Sequence, residues 1–236
     1  MKKTFALCAV LAACATAFAA DDAVETESSY SITVDFPYVT KYVFRGVELS
    51  RDSLQPSVEL ASGDFYAGLW NNTPLRNEHD GDASQEIDLY LGYAPQLTEN
   101  LKGDFGITWY WYPWLDGNGD DNSVEVFAGL NYTLGNFTPS VYLYRDLDLE
   151  VTTAQFALGY SIPLKDLGTS FDLSASVGAV LPDEGEDYCY YSFGVNIPYK
   201  LSDSVKLNLG VSYTENDLDG GEDPGVWGTV GITASF

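Results

Sequence analysis

The chain has 236 residues and a formal net charge of −24 at pH 7, with 35 acidic and 11 basic side chains. This charge argues against general nucleic-acid binding, which needs Lys and Arg to neutralise phosphates. After residue 20 there is no apolar run of roughly eighteen residues, so no membrane helix is expected. The 17 Tyr, 12 Phe, 5 Trp and 22 Gly favour strands instead.

The N terminus has the features of an export signal. Lys2 and Lys3 precede a short apolar run, and Ala17-Phe18-Ala19 forms an A-x-A cleavage site. We therefore expect a signal peptide at residues 1–19 that is removed on export, and a short periplasmic segment at residues 20–29.

Two of the three cysteines lie in this signal. Cys14 also fits a lipoprotein-type box, so its lipidation is the alternative to cleavage after Ala19. Cleavage leaves Cys189 as the only cysteine, and no disulfide within the chain is then expected.

Apolar and polar residues alternate along the rest of the chain, as in strands with one apolar and one polar face. Ile87, Leu89 and Leu91, for example, alternate with Asp88 and Tyr90. About twelve such strands are predicted, at residues 30–45, 53–61, 64–72, 84–95, 102–113, 123–133, 137–145, 150–162, 169–181, 187–199, 203–213 and 226–236. An even number of strands about ten residues long predicts an all-β fold, a transmembrane antiparallel up-and-down barrel at residues 30–236.

The connections between these strands are of two kinds. Those after even strands are short, such as Ser62-Gly63 and residues 134–136. Those after odd strands tend to be longer and acidic, such as residues 72–83 and 215–225. This asymmetry predicts short periplasmic turns and longer acidic extracellular loops, with both termini on the periplasmic side.

Nine aromatic residues fall at the short-turn ends of the strands and share parity with the apolar residues of their own strand. This pattern predicts an outward belt at the membrane interface, since an aromatic ring there contacts both hydrocarbon and headgroups. The belt consists of Phe65, Tyr93, Phe105, Tyr132, Phe137, Tyr160, Phe171, Tyr199 and Phe236.

A soluble sandwich is the alternative fold for an alternating all-β chain. A soluble sandwich has no reason to place its aromatic residues at one end of the strands and on one face of them. Its solvated face would carry many residues of both charges, whereas the polar faces here carry mostly Ser, Thr, Gly, Asn and Tyr. The terminal Phe236 also resembles the signal by which the assembly machinery recognises outer-membrane barrels.

Two segments near the N terminus carry a family resemblance. YVTKYVFRGVELSRDSLQPSVEL (38–60), followed by GDFYAGLWNN (63–72), resembles the opening of the TorF-type porin family. In that family an aromatic-x-F-R-G strand precedes a Pro-containing strand and a G-F-Y-A-G-x-W hairpin. The similarity continues over nearly all of the mature chain. It implies an outer-membrane pore and supplies no catalytic residues.

Charged residues on the polar faces are predicted to point into the barrel, because a charge on the lipid face is costly. Excess carboxylates would favour cations, and the basic side chains would oppose them across a constriction. The alternative is a salt-bridged plug that closes a narrow lumen. The candidate pore-lining residues are Asp35, Lys41, Arg45, Glu59, Asp88, Asp104, Glu125, Asp172 and Lys206.

Two further features were considered as sites of chemistry. Asp116, Asn118 and Asp120 begin like a calcium loop, but the later ligands of that motif are missing, so a solvated turn is favoured over weak Ca²⁺ binding. No cofactor is expected beyond such Ca²⁺ at the outer loops. His79 lies in a charged loop with no nucleophile beside it, and enzymatic activity is therefore not expected.

These features together predict a protein of the cell outer membrane, in contact with lipid and lipopolysaccharide. Its expected function is passive diffusion of small hydrophilic solutes, cationic ones among them. The alternative is a closed structural or adhesive barrel whose acidic loops bind a partner or divalent cations.

Overall fold

A computed structural model describes residues 30–76, 85–113, 122–220 and 223–236. The predicted signal peptide and the segment at residues 20–29 lie outside these ranges, as do Cys14 and His79. Among the residues described, no helix is long and apolar enough to span a membrane.

The described residues form fourteen strands and a single turn of 3-10 helix at Lys165–Leu167. In chain order the strands are β1 (Ser31–Phe44), β2 (Val47–Leu54), β3 (Ser57–Ser62), β4 (Phe65–Pro74), β5 (Glu86–Tyr93), β6 (Gln96–Thr98), β7 (Leu101–Trp111), β8 (Ser123–Tyr132), β9 (Phe137–Asp146), β10 (Val151–Leu164), β11 (Thr169–Pro182), β12 (Tyr188–Lys200), β13 (Val205–Asn216) and β14 (Gly225–Ser235).

The strands form one closed antiparallel barrel. Most strands pair with their neighbours in the chain. β2 and β3 share one position in the wall between β1 and β4, and β5 pairs with β7, which alone also pairs with β6. β14 returns to pair with β1, from Thr33 opposite Ser235 to Val39 opposite Thr229. The predicted up-and-down barrel of twelve strand positions is therefore confirmed.

The two ends of the barrel differ in their connections. Short turns such as Gly63-Asp64 and residues 133–136 lie at one end, together with both ends of the described chain. We call this the turn end. Longer connections, such as the one between β4 and β5, lie at the opposite end, which we call the loop end.

The outer face of the wall is apolar over most of its height. Side chains alternate in a strand, so one set faces outward and the other inward. The outward set is solvent-accessible and includes Leu91, Val141, Leu143 and Phe193, each at least half exposed. This apolar exterior is the face that hydrocarbon contacts in a transmembrane barrel.

Candidate functional site

One hairpin leaves the wall at the loop end. The pairing of β1 with β14 stops at Val39, and β2 pairs with β4 only through Ser53 and Leu54. Between these points, strand residues of β1 and β2 pair only with each other. Residues 40–52, which we call the inward hairpin, therefore fold away from the wall. The sequence analysis predicted a connection at residues 46–52 where the structure has strand β2.

The tip of the inward hairpin consists of Arg45 and Gly46. Both residues have positive φ, 44° and 88°, as a tight two-residue hairpin turn requires. A Cβ atom on Gly46 would lie 2.4 Å from the Cβ atom of Tyr190 on β12, so only glycine allows this approach. The Gly46 carbonyl also accepts a hydrogen bond of 2.7 Å from the side-chain amide of Asn216 on β13. The tip thus rests against β12 and β13, which lie three and two positions from β1 around the wall.

Arg45 extends from this tip to β8, nearly opposite β1 in the strand order. Its Nη2 donates to Oε1 of Glu125 at 2.9 Å, and its Nη1 lies 2.8 Å from Oε2. Its guanidinium carbon lies 4.7 Å from the ring centroids of both Phe44 and Tyr144. Glu125 is fully buried and Arg45 nearly so. The planar guanidinium is therefore held by one hydrogen bond and a second close contact with the same carboxylate, and by aromatic rings.

The inward hairpin buries side chains inside the barrel at the loop end. Val39, Tyr42 and Phe44 pack in one cluster with Trp70 and Tyr110 from the wall. Val47, on the other strand of the hairpin, packs against a second cluster formed by Val151, Val180, Tyr188 and Tyr190. The lumen in this half of the barrel is therefore filled by packed side chains.

Carboxylates lie among these packed side chains. Glu86, Asp88 and Glu125 are each at most 3% exposed. Glu86 accepts hydrogen bonds from the hydroxyls of Tyr42 at 3.0 Å and Tyr112 at 3.2 Å. Among the residues described, no hydrogen bond reaches Oδ1 of Asp88, although this atom is buried. The region therefore holds three buried carboxyl groups, more than the single positive charge of Arg45 can neutralise.

Toward the turn end, tyrosines and carboxylates line one side of the lumen. The hydroxyl of Tyr90 donates to Glu59 at 3.1 Å. Asp104 accepts from Tyr66 at 2.7 Å and from Tyr142 at 2.8 Å. These side chains lie on the inward faces of β3, β4, β5, β7 and β9. This side therefore presents fixed acceptor oxygens between aromatic rings.

The other side of the lumen, formed by β10–β14, carries small hydroxyl and amide side chains. Ser161 donates to Asp172 at 2.6 Å, and Asn208 donates to Thr233 at 2.9 Å. Where β14 meets β1, a cavity of about 270 Å³ opens. Its lining includes Asp35, Gln55, Trp70, Asn208, Thr229 and Thr233. Pro37 and Ile232 also belong to the lining, beside these polar groups.

The predicted pore-lining residues occupy several environments. Asp35, Glu59, Asp104, Asp172 and Lys206 lie on the inward faces of the strands toward the turn end. Asp88, Arg45 and Glu125 lie in the packed half. Lys41 lies on the inward hairpin, where its ammonium contacts Glu48 at 3.1 Å and the carbonyl of Pro224. Their role in solute passage stays a prediction.

The sequence analysis missed two buried carboxylates, Glu86 and Asp146, which are both about 2% exposed. Glu86 shares the parity of Asp88 on β5, so strand alternation alone could have found it. Asp146 ends β9, one residue beyond the predicted strand, and accepts a hydrogen bond of 2.7 Å from Ser123.

The nine predicted belt aromatics lie near the turn end of the outer face, and eight of them are exposed large side chains while Tyr160 is half-buried. Two adjacent pairs are in ring contact. The centroids of Phe65 and Tyr93 are 4.8 Å apart, and those of Phe137 and Tyr160 are 4.3 Å apart. Their contact with lipid headgroups stays a prediction.

The predicted calcium-type loop, Asp116, Asn118 and Asp120, lies outside the described residues. Within the described ranges, no group of three or more His, Cys, Asp or Glu is arranged to hold a metal ion.

Residues 23–234 match the family model described as "Bacterial protein of unknown function (Gcw_chp)". The chain belongs to the Gcw_chp family. No curated protein matches its sequence. The finer resemblance to TorF-type porins is not tested by this match and stays a prediction.

Two of the solved structures that resemble this chain in fold are porins. The KdgM porin, in a structure titled as a complex with disordered oligogalacturonate, has a TM-score of 0.59 at 10% identity, covering 86% of this chain and 99% of its own. The NanC porin has a TM-score of 0.52 at 12% identity, covering 87% of this chain and 98% of its own. At such low identity these similarities show the fold alone, which is that of outer-membrane porins.

Proposed function

We propose that this protein is an outer-membrane channel for small hydrophilic solutes, closed at its loop end by the inward hairpin. The observation that carries the proposal is the division of the lumen into two halves. Toward the turn end the inward faces carry carboxylates, hydroxyls and amides. A cavity of about 270 Å³, whose lining includes Asp35 and Asn208, lies where β14 meets β1. Toward the loop end the inward hairpin fills the lumen.

The hairpin has the properties expected of a removable plug. Its strand pairing is internal, so its displacement would leave the strand pairing of the wall intact. The hydrogen bonds that it makes with the wall strands β14 and β4 include those from Gly228 to Thr40 at 2.8 Å and from Asn72 to Ser50 at 3.3 Å. A purely structural core would be built from wall side chains, whereas here Tyr42, Phe44 and Arg45 all come from the hairpin. A barrel of this size is also wide enough for a narrow aqueous path once those side chains leave.

The preferred solutes of this channel are cationic. Asp35, Glu59, Asp104 and Asp172 line the half toward the turn end, where Lys206 is the basic residue among the predicted lining positions. Rings of carboxylates select for cations by their field. The wall thus differs from what an acidic oligosaccharide would need, even though the KdgM structure is titled with such a ligand.

Single-channel conductance in a planar bilayer tests the proposal. We expect small, infrequent current steps from the full chain and large, frequent steps from a variant in which residues 41–51 are replaced by a short glycine turn. A variant with a shortened connection between β11 and β12, at the exposed residues 184–187, is the matched control and should behave like the full chain. Both variants must first show the heat-dependent gel shift of a folded barrel. No steps from the folded hairpin-less barrel would contradict a channel.

Charge selectivity is a second expected outcome. In the hairpin-less barrel, replacing Glu59 by Gln and Asp104 by Asn should move the reversal potential in a salt gradient toward zero, because both carboxylates face the lumen. Glu99→Gln, in an exposed turn, serves as the control. If the reversal potential of the double variant stays that of the parent, these carboxylates do not set the selectivity.

A second candidate function is a permanently closed barrel that acts through its acidic loops. The buried ion pair of Arg45 and Glu125 favours it, because breaking such a pair costs about 3–5 kcal/mol. The two candidates differ in the conductance of the hairpin-less barrel. For a permanently closed barrel, removal of the hairpin should abolish folding rather than open a path.

A further inference from the structure

The environment of Arg45 is built to recognise a guanidinium group. Glu125 on the wall meets both terminal nitrogens of Arg45, at 2.9 and 2.8 Å. The hydroxyl of Tyr110 donates to the same carboxylate at 3.1 Å and fixes its orientation. The ring of Tyr144 lies 4.7 Å from the guanidinium carbon. We call Glu125, Tyr110 and Tyr144 the guanidinium socket.

All three residues of the socket belong to the wall, on β7, β8 and β9, whereas its occupant belongs to the inward hairpin. When the hairpin moves, the socket stays in the lumen with its carboxylate and its aromatic face exposed. A carboxylate and an aromatic ring that both contact the guanidinium suit a planar, weakly hydrated cation better than a compact ammonium.

The charge around the socket favours a cationic occupant. Asp88 and Glu86 lie on the adjacent strand β5 and are buried with Glu125. No hydrogen bond from a described residue reaches the buried Oδ1 of Asp88. Burying a carboxylate oxygen without a hydrogen bond costs free energy, and a positive charge nearby reduces that free-energy cost. An anionic or neutral solute would leave this cost in place.

We propose that the socket is a binding site for solutes that carry a guanidinium or a similar planar organic cation, and that Arg45 occupies it as an internal substitute for such a solute. Binding of the solute and docking of the hairpin are then mutually exclusive. The inference rests on the proposed channel function, because it names the solute class that this channel would admit and the contact that closes it.

Chemical rescue of an arginine variant tests the inference. Arg45→Ala leaves the socket empty and removes one anchor of the hairpin, so its conductance should exceed that of the full chain. Methylguanidinium in the bath should refill the socket and cause loss of the extra current, while methylammonium at the same concentration should not. The double variant Arg45→Ala, Glu125→Gln lacks the carboxylate and should keep its current in methylguanidinium.

A binding measurement that needs no current separates failure of this inference from failure of the channel. Methylguanidinium should raise the Tm of folded Arg45→Ala in detergent and leave the Tm of the double variant unchanged. Equal Tm shifts for both variants, or for methylammonium and methylguanidinium, would overturn the guanidinium site. A selective Tm shift without conductance in any variant would uphold the site and reject the channel.

Discussion

Arg145 and Asp183 show how single residues stabilise the rim at the loop end. Nη1 and Nη2 of Arg145 each donate to one carboxylate oxygen of Asp183 at 2.8 Å, a geometry that gives both strength and direction. The pair joins β9 to the residue that follows β11, across the intervening β10. The Arg145 guanidinium lowers the pKa of Asp183 below its ordinary value.

We expect Arg145→Gln to raise the pKa of Asp183 toward the ordinary value, measured by carbon NMR of the carboxyl groups. Because the folded-state pKa is lowered, the pair stabilises the barrel above the ordinary carboxyl pKa. That contribution is lost as the pH falls through the lowered value. Asp203 is the internal control, since its own lowered pKa comes from Lys200 at the turn end and should not change. An Asp183 pKa unaffected by the substitution would show that the pair does not form in solution.

Among the secondary-structure elements, the inward hairpin can dock against β12 only because the residue at its tip is Gly46. Gly46→Ala adds a Cβ atom 2.4 Å from Tyr190 at a φ of 88°. Gly63→Ala is a matched control, because its φ of 58° is also positive but nothing lies within 4 Å of the added atom. Both substitutions carry backbone strain of about 1 kcal/mol.

Only Gly46→Ala should therefore undock the hairpin and raise the conductance toward that of the hairpin-less barrel. Bilayer recordings of the two folded variants make the comparison. Equal conductance of both variants and the full chain would mean that contact with Tyr190 does not hold the tip.

Strand alternation predicted most of the wall but not the inward hairpin. The predicted strands 84–95, 123–133 and 169–181 agree with β5, β8 and β11 within a few residues, because their faces alternate without interruption. In β1 the alternation is broken, since Val39 and Tyr42 both point into the packed half. The register of the pairing between β1 and β2 also shifts between Tyr42 and Val43. Parity counted from the start of β1 predicts Lys41 as a lining residue of the lumen, because it does not include this interruption.

The contact between Arg45 and Glu125 could not be predicted from the sequence for a different reason. The two residues are 80 positions apart, and alternation says only that each faces inward. Their pairing depends on the path of the hairpin across the lumen, and this path is set by tertiary packing at its tip. The predicted alternative, a salt-bridged plug, includes an ion pair inside the lumen, but the sequence does not show that Arg45 and Glu125 form it.

On the scale of the whole molecule, the barrel has an apolar outside and a polar or packed inside. Trp109 lies on the outer face and is 41% exposed, whereas Trp70 faces inward and is 5% exposed. In bilayers of brominated lipid, a variant that keeps only Trp109 should lose most of its fluorescence to contact quenching. A variant that keeps only Trp70, with the other tryptophans changed to Phe in both, should be quenched little.

Equal quenching of the two variants by brominated lipid would contradict a transmembrane barrel with this orientation of its faces. The two variants control for each other, because they differ only in which side of the same wall carries the indole. A soluble protein would show little quenching in either case.

The seam between β1 and β14 has a consequence for how the protein is assembled. Ile32 and Phe236 exchange backbone hydrogen bonds of 3.0 and 2.9 Å, so the contact between β1 and the segment that ends β14 closes the wall. The strand that receives it, β1, is also the strand from which the inward hairpin extends. Closing the seam therefore brings the base of the hairpin into place in the same step. In the channel proposed above, each copy would therefore already be closed when its barrel is complete.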